Sequence, residues 1–197
     1  MKKISSLLLV LCMLLLLAAC TTTDTTDISK YQAAIDATEP TTVRVTTTFT
    51  SSVFSGVILN GEYDVTVADD GSATVEYTYE ELNEGGVGAE GYKNTVPGSA
   101  TISADGTVSA DGELPASVTA AKKLAIKLDS SKLKSVVEAR GILTAEILAA
   151  NTEAVLGFKV DADVSLELRI TADGRIGSAS INYTTADGHN SVVVTYE

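Results

Sequence analysis

The stretch from residue 57 to residue 82, VILNGEYDVTVADDGSATVEYTYEEL, decides the fold of this chain. Apolar and polar residues alternate on both sides of its centre, first over residues 57–67 and again over residues 73–79. Successive side chains of a β-strand point to opposite faces, so each half predicts a strand with one apolar and one polar face. Asp70-Gly71 lies between the halves, and this pair is typical of a tight hairpin turn. The stretch therefore predicts an antiparallel hairpin.

The same alternation recurs along the chain, over residues 43–49, 164–170, 179–183 and 192–196. Further Asp-Gly pairs stand between or beside the alternating runs, at Asp105-Gly106, Asp111-Gly112, Asp173-Gly174 and Asp187-Gly188. An apolar sheet face has to be covered, either because the sheet curls on itself or because helices pack on it. We therefore predict a mainly β (α+β) fold. It consists of an antiparallel curved sheet or half-open barrel with an N-terminal helix and one or two short covering helices.

The helical pieces are predicted from spacing and capping signals. Asp27 can cap a helix over residues 28–38, in which Ile28, Tyr31 and Ile35 share one face and Pro40 follows the end. Residues 116–128 fit a helix or a strand, with a slight preference for a strand in the second half. Residues 142–148 alternate weakly and predict a strand. Residues 151–157 fit one helical turn, capped by Asn151 and ended by Gly157.

The amino terminus has the layout of a secretory signal. Lys2 and Lys3 precede an apolar segment over residues 4–17, and the small residues Ala18 and Ala19 follow it. A permanent membrane helix is the alternative, but the segment is shorter than the ~20 apolar residues that a bilayer core requires. We therefore expect residues 1–19 to be a signal peptide.

Leu17-Ala18-Ala19-Cys20 resembles the lipobox of bacterial lipoproteins. The resemblance implies that Cys20 is joined to diacylglycerol and becomes the first residue of the mature chain. Two or three acyl chains anchor a protein stably, where a single chain is marginal. Residues 20–27 are then the lipidated cysteine and a polar, flexible tether, and residues 28–197 a single β-rich domain. We expect the protein to be exported and held on the extracytoplasmic side of a cell membrane.

Charge and cysteine content restrict the partners of the mature chain. Removal of Lys2 and Lys3 leaves 12 of the 14 basic residues against 26 acidic ones, a formal charge of −14. Such a chain is repelled by nucleic acid and by anionic headgroups, so we predict no nucleic-acid partner. Cys12 lies within the predicted signal peptide, which leaves no second thiol for a disulfide with Cys20. The domain is therefore expected to be stabilised by its core alone.

Three patterns that could carry chemistry are weak. Residues 86–91, GVGAEG, match the dinucleotide fingerprint G-x-G-x-x-G, but YKNTVPGS follows where a helix is required. His189, the only histidine, lies in a predicted turn with no nucleophile motif in the sequence. Asp161 and Asp163 lack the glycine of an EF-hand calcium loop, since Leu166 stands at its position. We predict no catalytic, cofactor or metal residues and do not expect an enzyme.

The tyrosines suggest either a core or a cavity. Tyr63, Tyr77, Tyr79, Tyr183 and Tyr196 all fall on the apolar parity of predicted strands. Either role would bury the rings and leave the hydroxyls at an edge.

The order of a helix, hairpins, an irregular middle and more hairpins, together with the lipobox, resembles Lol-type lipoprotein carriers and related lipid-binding lipoproteins. That resemblance implies a curved, half-open sheet closed by helices over an apolar cavity, and it transfers no binding residue. Two hypotheses stay open from the sequence. The protein binds an apolar or lipid-like ligand on its curved sheet, or it is an envelope structural or interaction module with a filled core and no small ligand.

Overall fold

The computed structural model describes residues 26–54, 56–83, 92–110, 112, 114–122 and 125–197. The predicted signal peptide, Cys20, the glycine-rich residues 86–91 and Asp111 lie outside these ranges, so the predictions made for them stay predictions.

Ten antiparallel strands form one curved, unclosed sheet in the part of the chain that the structure describes. Their order is β5-β4-β3-β2-β1-β10-β9-β8-β7-β6, so two five-strand meanders join where the first strand pairs with the last. This confirms the predicted fold class. The strands are β1 Thr42–Ser51, β2 Ile58–Val67, β3 Ala73–Leu82, β4 Lys93–Ile102, β5 Val108–Ala110, β6 Leu133–Ala139, β7 Ile142–Ile147, β8 Val164–Ile170, β9 Ile176–Thr184 and β10 Gly188–Tyr196.

The predicted alternation sets the two faces of the sheet. Side chains such as Val43, Val65 and Leu166 are fully buried on what we call the inner face, while their chain neighbours point to the opposite, outer face. Cross-strand register keeps apolar residues together, as in the pair Val45 and Val194. We call the end of the sheet that holds Ser51, Ile58, Leu82, Thr184 and Gly188 the rim end.

Within the described ranges, three short helices cover the inner face. They are α1 Ser29–Asp36, α2 Ala116–Ala121 and α3 Thr152–Leu156, the last preceded by a 3-10 turn over Ala149–Asn151. Helix α1 packs on β8 and β9 and α2 packs on β1. The predicted face of α1 is confirmed, because Tyr31 and Ile35 are buried and Ile28 packs against the core.

Asp27, the predicted cap of α1, lies one residue before the N-cap position. Ile28 holds the N-cap position of α1, and Asp27 lies one residue earlier, where its Oδ1 accepts hydrogen bonds from the N–H (3.0 Å) and Oγ (2.5 Å) of Ser29. Asp27 therefore stabilises the start of the helix from outside it.

For helix α3, the predicted end at Gly157 is confirmed, but the predicted side-chain cap by Asn151 is wrong. Asn151 stands at the N-cap position of α3, but its side chain makes no cap there and its Nδ2 instead donates to Lys132 O at 3.3 Å. Gly157 ends the helix as expected, with a φ of +79° that favours glycine.

The preference for a strand in the second half of residues 116–128 was wrong. Residues 125–128 have no regular structure, although Ile126 is buried. The reason lies in their backbone partners: Lys127 N donates to Val155 O at 2.8 Å, and Leu128 N donates to Gln32 Oε1 at 2.7 Å. This segment therefore bonds to α3 and α1 instead of a neighbouring strand.

Strands β4, β5 and β6 were not predicted from the sequence. Pro97 lies within β4, where a proline is tolerated because β5 pairs only with residues 100–102 and leaves the rest of β4 as a sheet edge. Strand β6 is the other edge, and its pairing with β7 shifts register between Lys134 and Val137 next to Ser135, whose φ is +49°. Edge positions and bulges interrupt the alternation on which strand prediction depends.

Candidate functional site

A groove of about 310 Å³ opens on the inner face at the rim end. Strands β1, β2, β3, β9 and β10 form its floor, and the chain entering α2 forms one wall. We call it the inner-face groove. Its lining includes Thr47, Phe49, Leu59, Tyr63, Tyr79, Pro115, Ser117, Tyr183, Asn190 and Val192.

The groove exists because the helical cover is incomplete. Towards the opposite end of the sheet the inner face is filled, and residues such as Val43 and Val75 have no exposed surface. Helix α2 begins only at Ala116, so farther towards the rim Phe49, Leu59 and Tyr183 are half-buried. Apolar surface that remains half-exposed on a concave face is a typical small-molecule site.

Three tyrosines form a continuous aromatic row near the groove. The Tyr63 and Tyr77 ring centroids are 5.7 Å apart, and those of Tyr77 and Tyr79 are 6.1 Å apart. The Tyr77 ring occupies the space that a Cβ would need at Gly98, its partner across β3 and β4. Gly61 likewise leaves space for the Tyr63 ring, because a Cβ at Gly61 would lie 2.9 Å from that ring. Two glycines thus make room for the rings against the sheet.

Two phenols that line the groove are uncharged. Burial raises the pKa of the Tyr63 phenol, partly opposed by a hydrogen bond with Thr47, and burial also raises the pKa of Tyr183. Both groups are therefore uncharged near pH 7. This environment favours a neutral, largely apolar ligand.

The carboxylate at the groove edge is engaged by other groups. Glu80 Oε1 accepts from Lys93 Nζ at 2.8 Å, and its Oε2 accepts from the backbone N–H and the Nδ2 of Asn60 at 2.9 and 3.0 Å. The bond from Lys93 is the main cause that lowers the pKa of Glu80. Glu80 therefore fixes the strand ends that frame the groove.

Lys122 positions α2 above the sheet. This side chain is 3% exposed, and its Nζ donates to Gly71 O at 2.8 Å and to Ser103 O at 2.7 Å. Those carbonyls belong to the β2–β3 and β4–β5 turns, at the end of the sheet opposite the rim. The lysine therefore ties the carboxyl end of α2 to two hairpins, while the residues at its amino end line the groove.

The residues examined for chemistry in the sequence do not assemble into a reactive site. His189 is exposed in β10, not in a turn, and its Nδ1 lies 3.2 Å from Thr184 Oγ1. Asp161 pairs with Lys159 at 2.7 Å, and Asp163 Oδ1 accepts from Ala149 N at 2.9 Å. In the described ranges no three His, Cys, Asp or Glu side chains are grouped so that they could hold a metal ion.

A larger and more polar depression of about 770 Å³ lies beside these groups, between β7, β8, β9 and the segment around Asp161. Its charged side chains, including Glu146 and Lys134, are exposed to solvent. Solvated side chains of both signs give this surface no evident ligand.

The structure also places a strand after the glycine-rich motif. Residues 93–102 form β4, where the dinucleotide-binding mechanism needs a helix amino terminus to receive the pyrophosphate. The motif therefore lacks the structural context that its chemistry requires.

The predicted apolar face supplies half of the groove lining, including Tyr63, Tyr79 and Tyr183, but the sequence did not predict the groove itself. The five tyrosines on the apolar parity do lie on the inner face, as do Phe49 and Leu59. Pro115 and Ser117 were missed as lining residues, because only the path of the chain into α2 brings them over the sheet. A strand pattern shows which face is apolar but not where its cover stops.

Comparisons with known proteins assign this chain to no family. No protein-family model matches the sequence, and no curated protein matches it. Among solved structures, the dehydratase domain from the CurF module of curacin polyketide synthase is similar at 12% identity over 85% of this chain and 79% of that chain, with a TM-score of 0.24. A DUF1329 family protein from Desulfovibrio piger is similar at 9% identity over 86% and 88% of the two chains, with a TM-score of 0.22. Scores of this size establish neither a shared fold nor an activity.

None of the described helices combines the length and the apolar character needed to cross a bilayer.

Proposed function

We propose that this protein is an exported lipoprotein, anchored to a cell membrane through Cys20, whose inner-face groove binds one small apolar ligand. The observation that supports it most is the half-open groove, in which three tyrosines, Phe49, Leu59, Pro115 and Val192 make up half of the lining residues. The lipobox-like sequence that ends at Cys20 supports the location.

The size of the groove restricts the ligand. A water molecule occupies ~30 Å³ of liquid, and a methylene group is of similar size, so about 310 Å³ holds roughly ten such groups. One acyl chain of about that length, or a fused-ring compound of equal size, fits this volume. Diacyl lipids, with several times as many methylene groups, exceed it.

A pair of neighbouring substitutions in β1 tests binding. Thr47 lines the groove and Thr46 points to the outer face, so Thr47→Trp should fill the groove while Thr46→Trp leaves it open. The probe is N-phenyl-1-naphthylamine, a neutral apolar dye, titrated into residues 27–197 and followed by fluorescence. We expect saturable binding to the wild type and to Thr46→Trp, and strongly weakened binding to Thr47→Trp. Equal binding by both variants would exclude the groove as the site.

Cys20→Ala tests the anchor. We expect this variant to lose acyl mass and membrane retention but to keep its fold, because a polar tether separates the cysteine from the domain. Membrane fractionation and intact-mass measurement give the result. Retention of both membrane association and acyl mass in the variant would refute anchoring at Cys20.

The second candidate function is an envelope interaction module without a small ligand. The well-filled core between the helices and the far half of the inner face favours it. This alternative predicts that the dye shows no saturable binding to the wild type.

A further inference from the structure

The turn between β1 and β2 exposes two large apolar side chains. Its sequence over residues 51–57, SSVFSGV, holds no charged residue in a chain that is 20% charged. Val53 is 63% exposed and Phe54 is 48% exposed. Exposed apolar residues of this size, concentrated in one turn, indicate a surface that meets an apolar partner.

Hydrogen bonds hold the described residues of the turn in place, with these two side chains pointing outward. Ser51 Oγ accepts hydrogen bonds from Val53 N at 3.2 Å and Phe54 N at 3.0 Å, and Val57 N donates to Phe54 O at 3.1 Å. Ser52 N donates to Asp187 O at 2.8 Å and so fastens the turn to the β9–β10 connection. The exposure of Phe54 is thus part of the folded structure.

Two more exposed residues extend this surface. Ile58 is 43% exposed and Leu82 is 36% exposed, both on the outer face at the rim end. The register of β2 and β3 pairs Gly61 with Tyr79, and continued to the rim it sets Ile58 opposite Leu82. Lys93, the cross-strand partner of Leu82, donates from Nζ to Ile58 O at 3.1 Å. We call Val53, Phe54, Ile58 and Leu82 the rim patch. Leu59, next to Ile58, turns to the other face and lines the groove.

We propose that the rim patch inserts into the interfacial region of a neutral lipid bilayer and so sets the mouth of the groove against the membrane. The patch offers on the order of 300 Å² of apolar surface, since Phe54 exposes 48% of the ~150–250 Å² of an aromatic side chain and the three smaller aliphatic side chains each add less than ~100 Å². A stable protein interface needs about 800 Å² on each partner. A bilayer needs no such minimum, because each inserted side chain contributes through its own burial.

The charge of the chain selects the kind of lipid. The formal charge of −14 on the mature chain repels anionic headgroups, whereas the turn itself carries no charge. Zwitterionic lipid is therefore the partner that this surface fits.

The position of the amino terminus permits this orientation. Thr26 Oγ1 donates to Val136 O at 3.3 Å. Val136 lies three residues from Leu133, the rim end of β6, so Thr26 is ~10 Å from the rim. The six residues from Cys20 to Thr26 can span at most ~20 Å. The inference rests on the anchoring proposed above, and the anchor and the rim can meet one bilayer surface.

Tryptophan fluorescence tests the proposal without interference, because the chain contains no tryptophan. Phe54→Trp places the reporter in the patch. Val108→Trp is the matched control, since Val108 is 39% exposed in β5 at the opposite end of the sheet, ~30 Å away. Each full-length lipoprotein is reconstituted in phosphatidylcholine vesicles with and without bromine-labelled acyl chains, and intact mass reports acylation at Cys20.

We expect the emission of the Phe54→Trp variant to be blue-shifted and mostly quenched in the brominated vesicles, while the emission of the Val108→Trp variant is unaffected. An acylated Phe54→Trp protein whose emission is not quenched would overturn membrane insertion and leave the anchor intact. The same variant without acyl mass, if quenched, would support insertion and refute the anchor. A blue shift that appears without vesicles and grows with protein concentration would assign the patch to a second copy of the chain and overturn the proposal.

Discussion

At the residue scale, alternation along a strand determines what each position tolerates. Ile181 is 2% exposed on the inner face of β9, and its cross-strand neighbours are Leu166 in β8 and Val192 in β10. Asn182, the next residue, points to the outer face and is half-buried. Neighbouring residues of one strand therefore have opposite roles in stability.

We expect Ile181→Asp to destabilise the protein far more than Asn182→Asp. An uncompensated buried carboxylate costs several kcal/mol, and loss of the isoleucine adds ~2 kcal/mol. An outward polar exchange usually changes stability by less than ~0.5 kcal/mol. Urea denaturation gives the ranking. Equal effects would mean that β9 is covered on both faces, contrary to the one-layer sheet.

The residue scale also contains an unusual buried hydroxyl. Tyr31 is fully buried, and its Oη has no hydrogen-bond partner among the described residues. Burial raises the pKa of this phenol to about 12, and the Glu138 carboxylate, which is near the hydroxyl but outside good hydrogen-bond geometry, adds to the rise. The unfolded chain releases the same proton near pH 10. The protonated phenol therefore supports the folded state fully below pH 10, and that support is lost as the pH rises from 10 to 12.

Tyr31→Phe tests both consequences. At pH 7 we expect the variant to be at least as stable as the wild type, because an unsatisfied buried hydroxyl costs ~1–3 kcal/mol. Between pH 10 and 12 the free energy of unfolding should fall with pH more steeply for the wild type than for the variant, by up to ~1.4 kcal/mol per pH unit. Urea denaturation at both pH ranges measures this difference. A variant less stable at pH 7 would show that the hydroxyl donates a hydrogen bond to the Glu138 carboxylate, and parallel behaviour at high pH would show that the pKa of the phenol is not raised.

At the scale of elements, Lys122 connects a helix to two hairpins. Its two bonds to backbone carbonyls come from a charged group, and each such bond contributes ~1.5–3 kcal/mol. Burial of the ammonium opposes this gain. Asp70 and Asp105 stand in the same turns, and Lys122 helps to lower the pKa of both carboxyls after their bonds to Ser72 and Thr107.

We expect Lys122→Met to destabilise the protein by ~2 kcal/mol and to increase hydrogen exchange in α2. The matched control is Lys127→Met, since Lys127 is exposed and should tolerate the change within ~0.5 kcal/mol. Denaturation and hydrogen exchange, measured on both variants, give the comparison. Indistinguishable variants would show that α2 is held by its apolar contacts alone.

Elements also differ in how well the sequence predicts them. The strands with regular alternation, β2, β3, β8, β9 and β10, could be predicted because each has one buried and one exposed face. Strands β4 and β6 could not, because a proline at a free edge and a bulge break the pattern. The segment after α2 was misread as a strand because the apolar residues Ile126 and Leu128 alternate, while their backbone bonds go to helices.

At the scale of the whole molecule, the apolar core lies between one sheet and its helical cover. We expect residues 27–197 to fold as a cooperative monomer without reducing agent or metal, because this segment contains no cysteine. Circular dichroism during urea denaturation, with and without chelator, checks this. Loss of the cooperative transition after chelator treatment would contradict it.

The candidate site belongs to the whole molecule, which is why the sequence alone could not locate it. The groove needs Phe49 from β1, Tyr183 from β9 and Pro115 from the connection into α2, which lie far apart in the chain. Alternation predicted the apolar face on which it lies. The extent of the helical cover, which creates the opening, depends on tertiary contacts such as those of Lys122.

Native mass spectrometry most directly tests whether the inner-face groove holds an apolar ligand. Residues 27–197 would be extracted with organic solvent, refolded and titrated with monodecanoylglycerol, a neutral lipid with one ten-carbon chain. We predict a single saturable adduct at one ligand per chain, which Thr47→Trp weakens and Thr46→Trp does not. A clean ligand-free mass across the whole titration would contradict the binding function and favour an interaction module with a filled core.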